Sequence, residues 1–521
     1  MRIPFGLAVV LAALAGFIAL TYELLWARVY GFTSASRAVA FGTMLSSYLL
    51  GLALGSLLSR RWQRDPPDPE ADRLILSRLF ILSGVAAFAV VPIISWGVVS
   101  VHWGKTLPVV VVGAGLFGAL LPVICHAAVL PDNRAGARVS YLYFANVVGA
   151  GFGALLTGFV LLESLALWQI TMTLLLLAVL AGVLLSFRAA RGGFPNIALG
   201  IFATILALCS APLHDGLYER LQQRASYDPK DRFTEIVESR HGVITVDRDK
   251  RVYGGGTYDG MLEVRPTAGG GLIRPLFVSA VHANPQEILV IGMSGGAWTQ
   301  VLANHPQAHH VTAIEINGGY LDVIKNHPEV SSLLSNPKVS IFIDDGRRWL
   351  RRNSERKFDL IVMNGSFHWR EFSSALLGQE FLELLRSRLN PAGVVLWNLS
   401  GSGRAAKTGL TVFPHTMMVM NTCVGSMAPI TVDLARWRDV LSRYQIDGAP
   451  VFDLDTPAGQ QALDEMLAVA GPNDVTGTLM TRQTMEGLFG ASRLITDDNL
   501  GEEYNFVYSN HPSLERIFFW R

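Results

Sequence analysis

Four consecutive residues, His368-Trp369-Arg370-Glu371, place a base that titrates near neutrality, an aromatic face, a fixed cation and a carboxylate just past the apolar run 358–363. That set suits proton transfer or the orienting of an acceptor. His368 is read as a base or acceptor-orienting group, with bracing of its own loop as the structural alternative. A second concentration lies in Ile288-Leu-Val-Ile-Gly-Met-Ser-Gly-Gly-Ala-Trp298. There Gly292, Ser294 and Gly296 form a turn that lets backbone approach a nucleotide closely. Glu315 follows at the end of the run 311–317, at a spacing that suits an acid accepting both hydroxyls of a ribose. Asp345 and Gly346 close a third run, 339–343.

The elements that must position these groups are short, β-branched and apolar, as expected of strands buried on both faces. Strands at 288–291, 311–317, 339–343, 358–363 and 393–398 alternate with helix-compatible stretches, among them 379–389, and a turn is expected at Asn390-Pro391. The pattern predicts a doubly wound α/β sheet whose polar groups collect at the carboxyl ends of its strands, where such sheets take ligands. The turn lacks the middle glycine of a strict G-x-G-x-G, Ser294 standing there. On the turn alone, an α/β domain without a nucleotide remains the plainer alternative; Glu315 and Asp345 at matching strand ends weigh against it.

Residues 230–400 resemble the spermidine synthase family of class I S-adenosyl-ligand transferases. The whole chain resembles its membrane-bound branch, in which such a domain follows a bundle of hydrophobic helices. The resemblance rests on Ile291-Gly-Met-Ser-Gly-Gly296, Ile314-Glu-Ile316, Asp345-Gly-Arg347 and Pro391-Ala-Gly-Val-Val395. It implies a Rossmann-like fold and an S-adenosyl ligand, either S-adenosylmethionine or its decarboxylated form. Gly292, Ser294, Gly296, Glu315, Asp345 and Gly346 would then contact that ligand. The family's Asp-x-x-Asp pattern after strand four reads Asn364-Gly-Ser-Phe367 here, and Asn364 can hydrogen-bond but cannot serve as a base. Candidate catalytic residues are accordingly His368, Asn364 and Glu371.

Composition sets the broader frame. The chain has 521 residues with only 16% charged, and its mean hydropathy is +0.34. The apolar excess lies in the first ~210 residues, where seven runs, near 4–22, 38–58, 74–99, 106–130, 139–162, 165–187 and 195–212, suffice to cross a bilayer. Gly51 with Gly55, and Gly149 with Gly153, suit close helix crossings. Glu23 and Arg28 flank Trp26 at what reads as a helix end and an interfacial anchor. With seven crossings, Arg2, Arg60, Arg61, Arg64, Arg73, Arg78, Arg134, Arg138, Arg188 and Arg191 share one side, opposite the C-terminal half. The positive-inside rule would put that half outside; a charged nucleoside made in the cytosol argues for the cytosolic side, which is the expectation adopted. A net charge of +1 and the lack of a basic stripe exclude nucleic acid as a partner. Cys125, Cys209 and Cys423 show no metal-ligand spacing and no disulfide framework, so no metal is expected.

Three domains follow: a transmembrane bundle over 1–212, a charged linker and small antiparallel β region over 213–265, and the S-adenosyl-ligand domain over 266–521. The β region, by resemblance, closes over the acceptor, which makes Tyr258 and Asp259 acceptor-side candidates together with Trp369 and Arg370. Arg274-Pro275 stands where the family carries His-Pro. A guanidinium there could bind the carboxylate of intact S-adenosylmethionine; an ordinary surface arginine is the alternative. The expected function is a membrane-embedded transferase that moves an aminopropyl or methyl group to a small-molecule or lipid acceptor, working in a lipid bilayer and compatible with a homo-oligomer. The rival reading is a transporter or sensor whose soluble domain binds the nucleoside without chemistry.

Overall fold

A computed structural model describes residues 3–64, 67–187, 194–266, 271–365, 367–470 and 479–504. Arg2, Arg188, Arg191, Gly269, Gly270 and Ser366 lie outside the described residues. Contacts divide the chain into two units, residues 1–232 with 238–243, and residues 233–237 with 244–521.

The first unit is helical. Its long helices are α1 (Phe5–Thr33), α2 (Ala38–Leu58), α3 (Pro69–Ser100), α4 (Leu107–Ala128), α5 (Ala135–Leu156) and Leu167–Phe187. Six helices are long and apolar enough to cross a membrane, and the seventh expected run is a pair, Phe194–Leu208 and Ser210–Ser226, bent by 59°. Within the unit the pair runs the length of the bundle. Asn196 donates to the Leu74 carbonyl at 3.0 Å near the start of α3, Ser210 donates to the Trp168 carbonyl at 2.9 Å, and Arg220 reaches Ser95 near the end of α3 at 3.1 Å. That geometry favours a seventh, bent crossing over a re-entrant loop. Phe144, Phe152 and Phe159 following Ala135, and Ile201, Phe202 and Ile205, point outward at 56% exposure or more, as suits a surface solvated by lipid.

The small residues expected to set crossings do so. A Cβ on Gly149 would lie 1.9 Å from the Ala13 carbonyl oxygen, and one on Gly55 would lie 1.7 Å from that of Gly115. Backbone thus meets backbone at the α1–α5 and α2–α4 contacts. Trp26 departs from expectation: α1 runs past it to Thr33, and its ring is fully buried against Tyr48, with centroids 6.1 Å apart, so it is a packing residue and no interfacial anchor.

The second unit holds the main sheet and most of a smaller one, whose residues 238–243 group with the first unit. Strands β1 (Glu235–Ser239), β2 (Gly242–Val246), β3 (Arg251–Gly254) and β4 (Thr257–Met261) form the small sheet in sequence order, its β2–β3 and β3–β4 pairs antiparallel. The main sheet contains β5 (Glu287–Ile291), β6 (His310–Glu315), β7 (Val339–Ile343), β8 (Phe358–Met363), β9 (Leu389–Asn398), β10 (His415–Val419) and β11 (Thr422–Ser426), with a short strand Leu479–Thr481 at the edge beside β10. In space β9, β8, β5, β6 and β7 lie side by side and parallel. Strand order reverses between β5 and β8, so a crevice opens where both carboxyl ends finish. The expected doubly wound core is therefore present.

One local expectation differs, and one element had none. Asn390-Pro391 is the start of β9, where a bulge with Ala392 at φ 63° absorbs the proline. The β10–β11 hairpin was not anticipated: its turn carries Met420 at φ 54° and Asn421, so the glycine that signals a tight hairpin is missing.

Gly149→Val is expected to lower the detergent-solubilised protein's stability by about 1–3 kcal/mol through overpacking. Gly151→Val is the control, because nothing lies within 4 Å of the place a Cβ would take there. Equal thermal unfolding of the two variants would show that the α1–α5 contact does not depend on backbone approach.

Candidate functional site

The turn after β5 is shaped by its neighbours. Gly292 has φ +82°, and a Cβ there would sit 2.9 Å from the Asn364 carbonyl oxygen at the end of β8. Ser294 adopts φ 49° without being glycine. Its strain is offset by hydrogen bonds: the Met293 and Ser294 N–H groups donate to Glu315 Oε2 at 2.8 and 3.0 Å, and the Ser294 hydroxyl donates to the Asp259 carbonyl at 2.9 Å. Glu315 Oε1 accepts a third backbone bond, from Asn317 at 3.0 Å. Glu315 therefore braces the turn. A carboxylate offers about four acceptor positions, so it retains room for a single further hydroxyl where the sequence suggested two. Burial pushes its carboxyl above the usual range, with the three amide bonds pulling the other way.

Asp345 caps the helix Gly346–Arg352 through Oδ1, which accepts from Arg348 N–H at 2.7 Å. Its other oxygen has no hydrogen-bond partner among the described residues. Gly346 lies against Ile291, whose Cγ2 would be 2.7 Å from an added Cβ. Arg347 turns away to Asp497, Nη1 to Oδ1 at 2.8 Å, so the late acidic stretch locks onto this helix. Ile316, Phe342 and Ile343 flank the two acids at 54%, 38% and 44% exposure. They provide an open apolar surface suited to a planar base.

Arg274 is partly buried; its Nε and Nη2 both donate to Asn421 Oδ1, at 2.9 and 2.5 Å. Its guanidinium stands 5.8 Å from the centre of the Trp298 ring. Desolvation lowers its pKa to about 10.

The acceptor-side candidates come together, but largely to satisfy one another. Asp259 pairs with Arg370 at 2.7 Å and accepts from the Tyr320 hydroxyl at 2.5 Å, while Arg370 Nη2 donates to the Gly254 carbonyl at 3.2 Å. Burial pulls the Arg370 pKa down, yet Asp259 and Tyr320 outweigh it and the net shift is upward. Burial and Asp259 push the Tyr320 hydroxyl far above its ordinary value. Tyr258, 38% exposed, meets Tyr253 edge-on with centroids 6.0 Å apart.

His368 is 1% exposed. Its N–H donates to Ser400 Oγ at 2.6 Å and its Nδ1 lies 2.7 Å from the same oxygen, so it braces the loop and is not offered to a substrate. This geometry supports the structural alternative and works against a role as base. Trp369 stacks on Phe367 at 4.3 Å between centroids. Glu371 is half-buried, and its carboxyl is raised by burial and by Glu503. Asn364 lies at the crevice, its N–H bonded to the Ile291 carbonyl at 3.0 Å. No cluster of three metal-ligating side chains occurs among the described residues.

Tyr320, Asn421 and Ser400 were not singled out in the sequence. Tyr320 follows Glu315 in a helix start and could have been flagged by that position; Asn421 and Ser400 gave no signal.

Glu315→Gln is expected to cost about 1–3 kcal/mol, since the amide would set its NH2 against a backbone N–H. Because Glu315 has a raised folded-state carboxyl, its protonation-linked stability is present below the ordinary value of 4.5 and lost as pH rises through the folded value. The variant should flatten that part of the pH–stability curve; unchanged curves would remove the bracing role.

Residues 276–400 match the family model described as the spermine/spermidine synthase domain. Polyamine aminopropyltransferase of Agathobacter rectalis is 32% identical over 119 residues, covering 23% of this chain and 41% of that protein. That of Leptospira biflexa is 31% identical over 115 residues, covering 22% and 40%. The chain thus spans about two-fifths of the length of these relatives. A solved spermidine synthase in complex with the transition state analogue AdoDATO shares 16% identity at a TM-score of 0.35, over 47% of this chain and 87% of that one.

Proposed function

We propose that this chain, whose residues 276–400 carry a spermine/spermidine synthase domain, is a membrane-embedded transferase that uses an S-adenosyl sulfonium to alkylate an acceptor. One observation carries the reading: the Gly292–Gly296 turn, braced by Glu315, and Asp345, one of whose oxygens has no hydrogen-bond partner among the described residues, end the adjacent parallel strands β5, β6 and β7, the first of them at the reversal of the sheet. In this reading Glu315 takes one ribose hydroxyl, Asp345 the adenine edge, and Ile316, Phe342 and Ile343 the base's face. The acceptor's nucleophilic atom attacks a carbon on the sulfonium, the C–S bond breaks and its electron pair stays on sulfur. Aminopropyl transfer leaves methylthioadenosine; methyl transfer leaves S-adenosylhomocysteine.

The acceptor end favours an uncharged nucleophile. Asn364 carries no charge and Asp259 is neutralised by Arg370, so a polyamine's ammonium would find little counter-charge. A small neutral amine or a lipid-borne group fits better. The same observation supports the second reading, a nucleoside-binding sensor or transporter without chemistry. In mass analysis of the full-length protein with either sulfonium and candidate acceptors, one of the two products supports the transferase. Binding with neither product supports the sensor. Replacing Glu315 and Asp345 together by alanine is expected to weaken nucleoside binding by on the order of a hundredfold, as two lost hydrogen bonds to charged groups imply. Unchanged affinity would sink both readings.

Sidedness is the second exposure of the proposal. The nucleoside is made in the cytosol, so the second unit must face it. Seven crossings leave the arginine-rich side at the opposite face, and the positive-inside rule argues against that placement. Asp464→Cys, an exposed position, in a chain with Cys125 and Cys209 replaced by alanine, is expected to react with a membrane-impermeant maleimide only after cells are permeabilised. Labelling of intact cells would put the unit outside and end the transferase reading.

A further inference from the structure

Arg274 differs from three other part-buried arginines of the second unit. Arg370 has Asp259, Arg404 has Glu502 and Arg347 has Asp497. Arg274 has a neutral amide: among the described residues no carboxylate lies within ion-pair distance of it, and its hydrogen bonds go to Asn421 alone. A cation withdrawn from water without a counter-ion is costly to maintain, and an incoming carboxylate would supply the missing charge.

Its surroundings tie it to the site already described. Trp298, beneath the guanidinium, lies two residues past Gly296 of the ligand turn. Asn421 holds the Leu399 N–H at 2.8 Å just past the carboxyl end of β9. The Nε side of the fork is occupied by one oxygen of Asn421, which fixes the plane; among the described residues the Nη1 edge has no hydrogen-bond partner. That edge lies along Gly271, where a Cβ would come within 2.2 Å of Nη1. A planar, pre-oriented guanidinium edge is the geometry that takes a carboxylate by two parallel bonds.

We propose that Arg274, oriented by Asn421, receives the carboxylate of the ligand's amino-acid tail, so that this chain takes intact S-adenosylmethionine in preference to the decarboxylated form. The inference rests on the nucleoside reading above and adds the chemical group that selects the ligand. It also sets the reaction: with the amino-acid tail anchored at its carboxylate, the methyl carbon is the unhindered electrophile, and transfer leaves S-adenosylhomocysteine. The decarboxylated ligand would leave the guanidinium uncompensated and would bring a further cation beside it.

Calorimetry on the full chain in detergent with S-adenosylmethionine, decarboxylated S-adenosylmethionine and methylthioadenosine tests this. The wild type is expected to bind the first at least tenfold more tightly than the second. Arg274→Gln should weaken S-adenosylmethionine binding by on the order of ten- to a hundredfold and leave methylthioadenosine, which has no tail, unchanged. Arg274→Lys, which keeps the charge but not the fork, should fall between. Retained methylthioadenosine affinity shows that the variants are folded. A wild-type preference for the decarboxylated ligand, or an equal loss of all three ligands in Arg274→Gln, would overturn the assignment while leaving the nucleoside reading standing. Failure of the wild type to bind any of the three would overturn both.

Discussion

The second unit depends on one carboxylate pointing inward. Glu315 gathers the N–H groups of Met293, Ser294 and Asn317, donors from two segments that no helix or strand would otherwise satisfy. Buried, it makes these bonds at the expense of its own hydration, which is why its carboxyl is raised even though three donors favour the anion. The exchange produces a rigid turn. Ser294 is held at positive φ, Gly292 can press on the end of β8, and the first strand of the core becomes fixed relative to the second. A ligand arriving at this crevice would meet a backbone that is already fixed, with little ordering left to do on binding.

The helical unit obeys a different constraint. Six of its helices are long and apolar enough to cross a membrane, and in lipid no hydrophobic force would drive them together, so close packing would have to come from shape. Gly55 and Gly149 permit backbone contact that any side chain would block. Polar groups are then accommodated in pairs across helices: Ser77 with Ser186 at 2.5 Å, and Tyr30 with Thr106 at 2.8 Å. Asp72 and His126 approach to 3.7 Å. The bent seventh segment fits the same logic, because Ser210 and Asn196 give its two ends partners at opposite ends of the bundle.

Most of the framework was legible in the sequence because strands buried on both faces leave continuous β-branched runs, and glycine marks the turns between them. Strands β5 to β8 appear at or within two residues of where the pattern puts them. Legibility failed where a rule was met by an unusual residue. The β10–β11 hairpin turns on Met420 at positive φ, a position that carries no glycine signature, and with the hairpin went Asn421, the orienting partner of Arg274. It failed again for side chains whose role depends on depth. His368 has the composition of a base, and only its burial against Ser400 shows it bracing a loop. Asp259 and Arg370, 111 positions apart, gave no hint that each would cancel the other's charge.

These pairings bear on how such a site could accelerate sulfonium chemistry. A sulfonium loses its positive charge as the C–S bond breaks, so stabilising that charge strongly in the ground state would slow the reaction. Two carboxylates near the crevice are engaged within the protein, Glu315 largely by the turn and Asp259 by Arg370. Of the groups beside the turn, Trp298 and Asn364 carry no charge. Binding energy then has to come from the parts of the ligand that do not react, its base, its ribose and its tail. Rate would follow from alignment in a dry pocket, with no strong base required. Such a site tolerates loss of the acids that a polycationic acceptor needs, provided the nucleophile arrives uncharged.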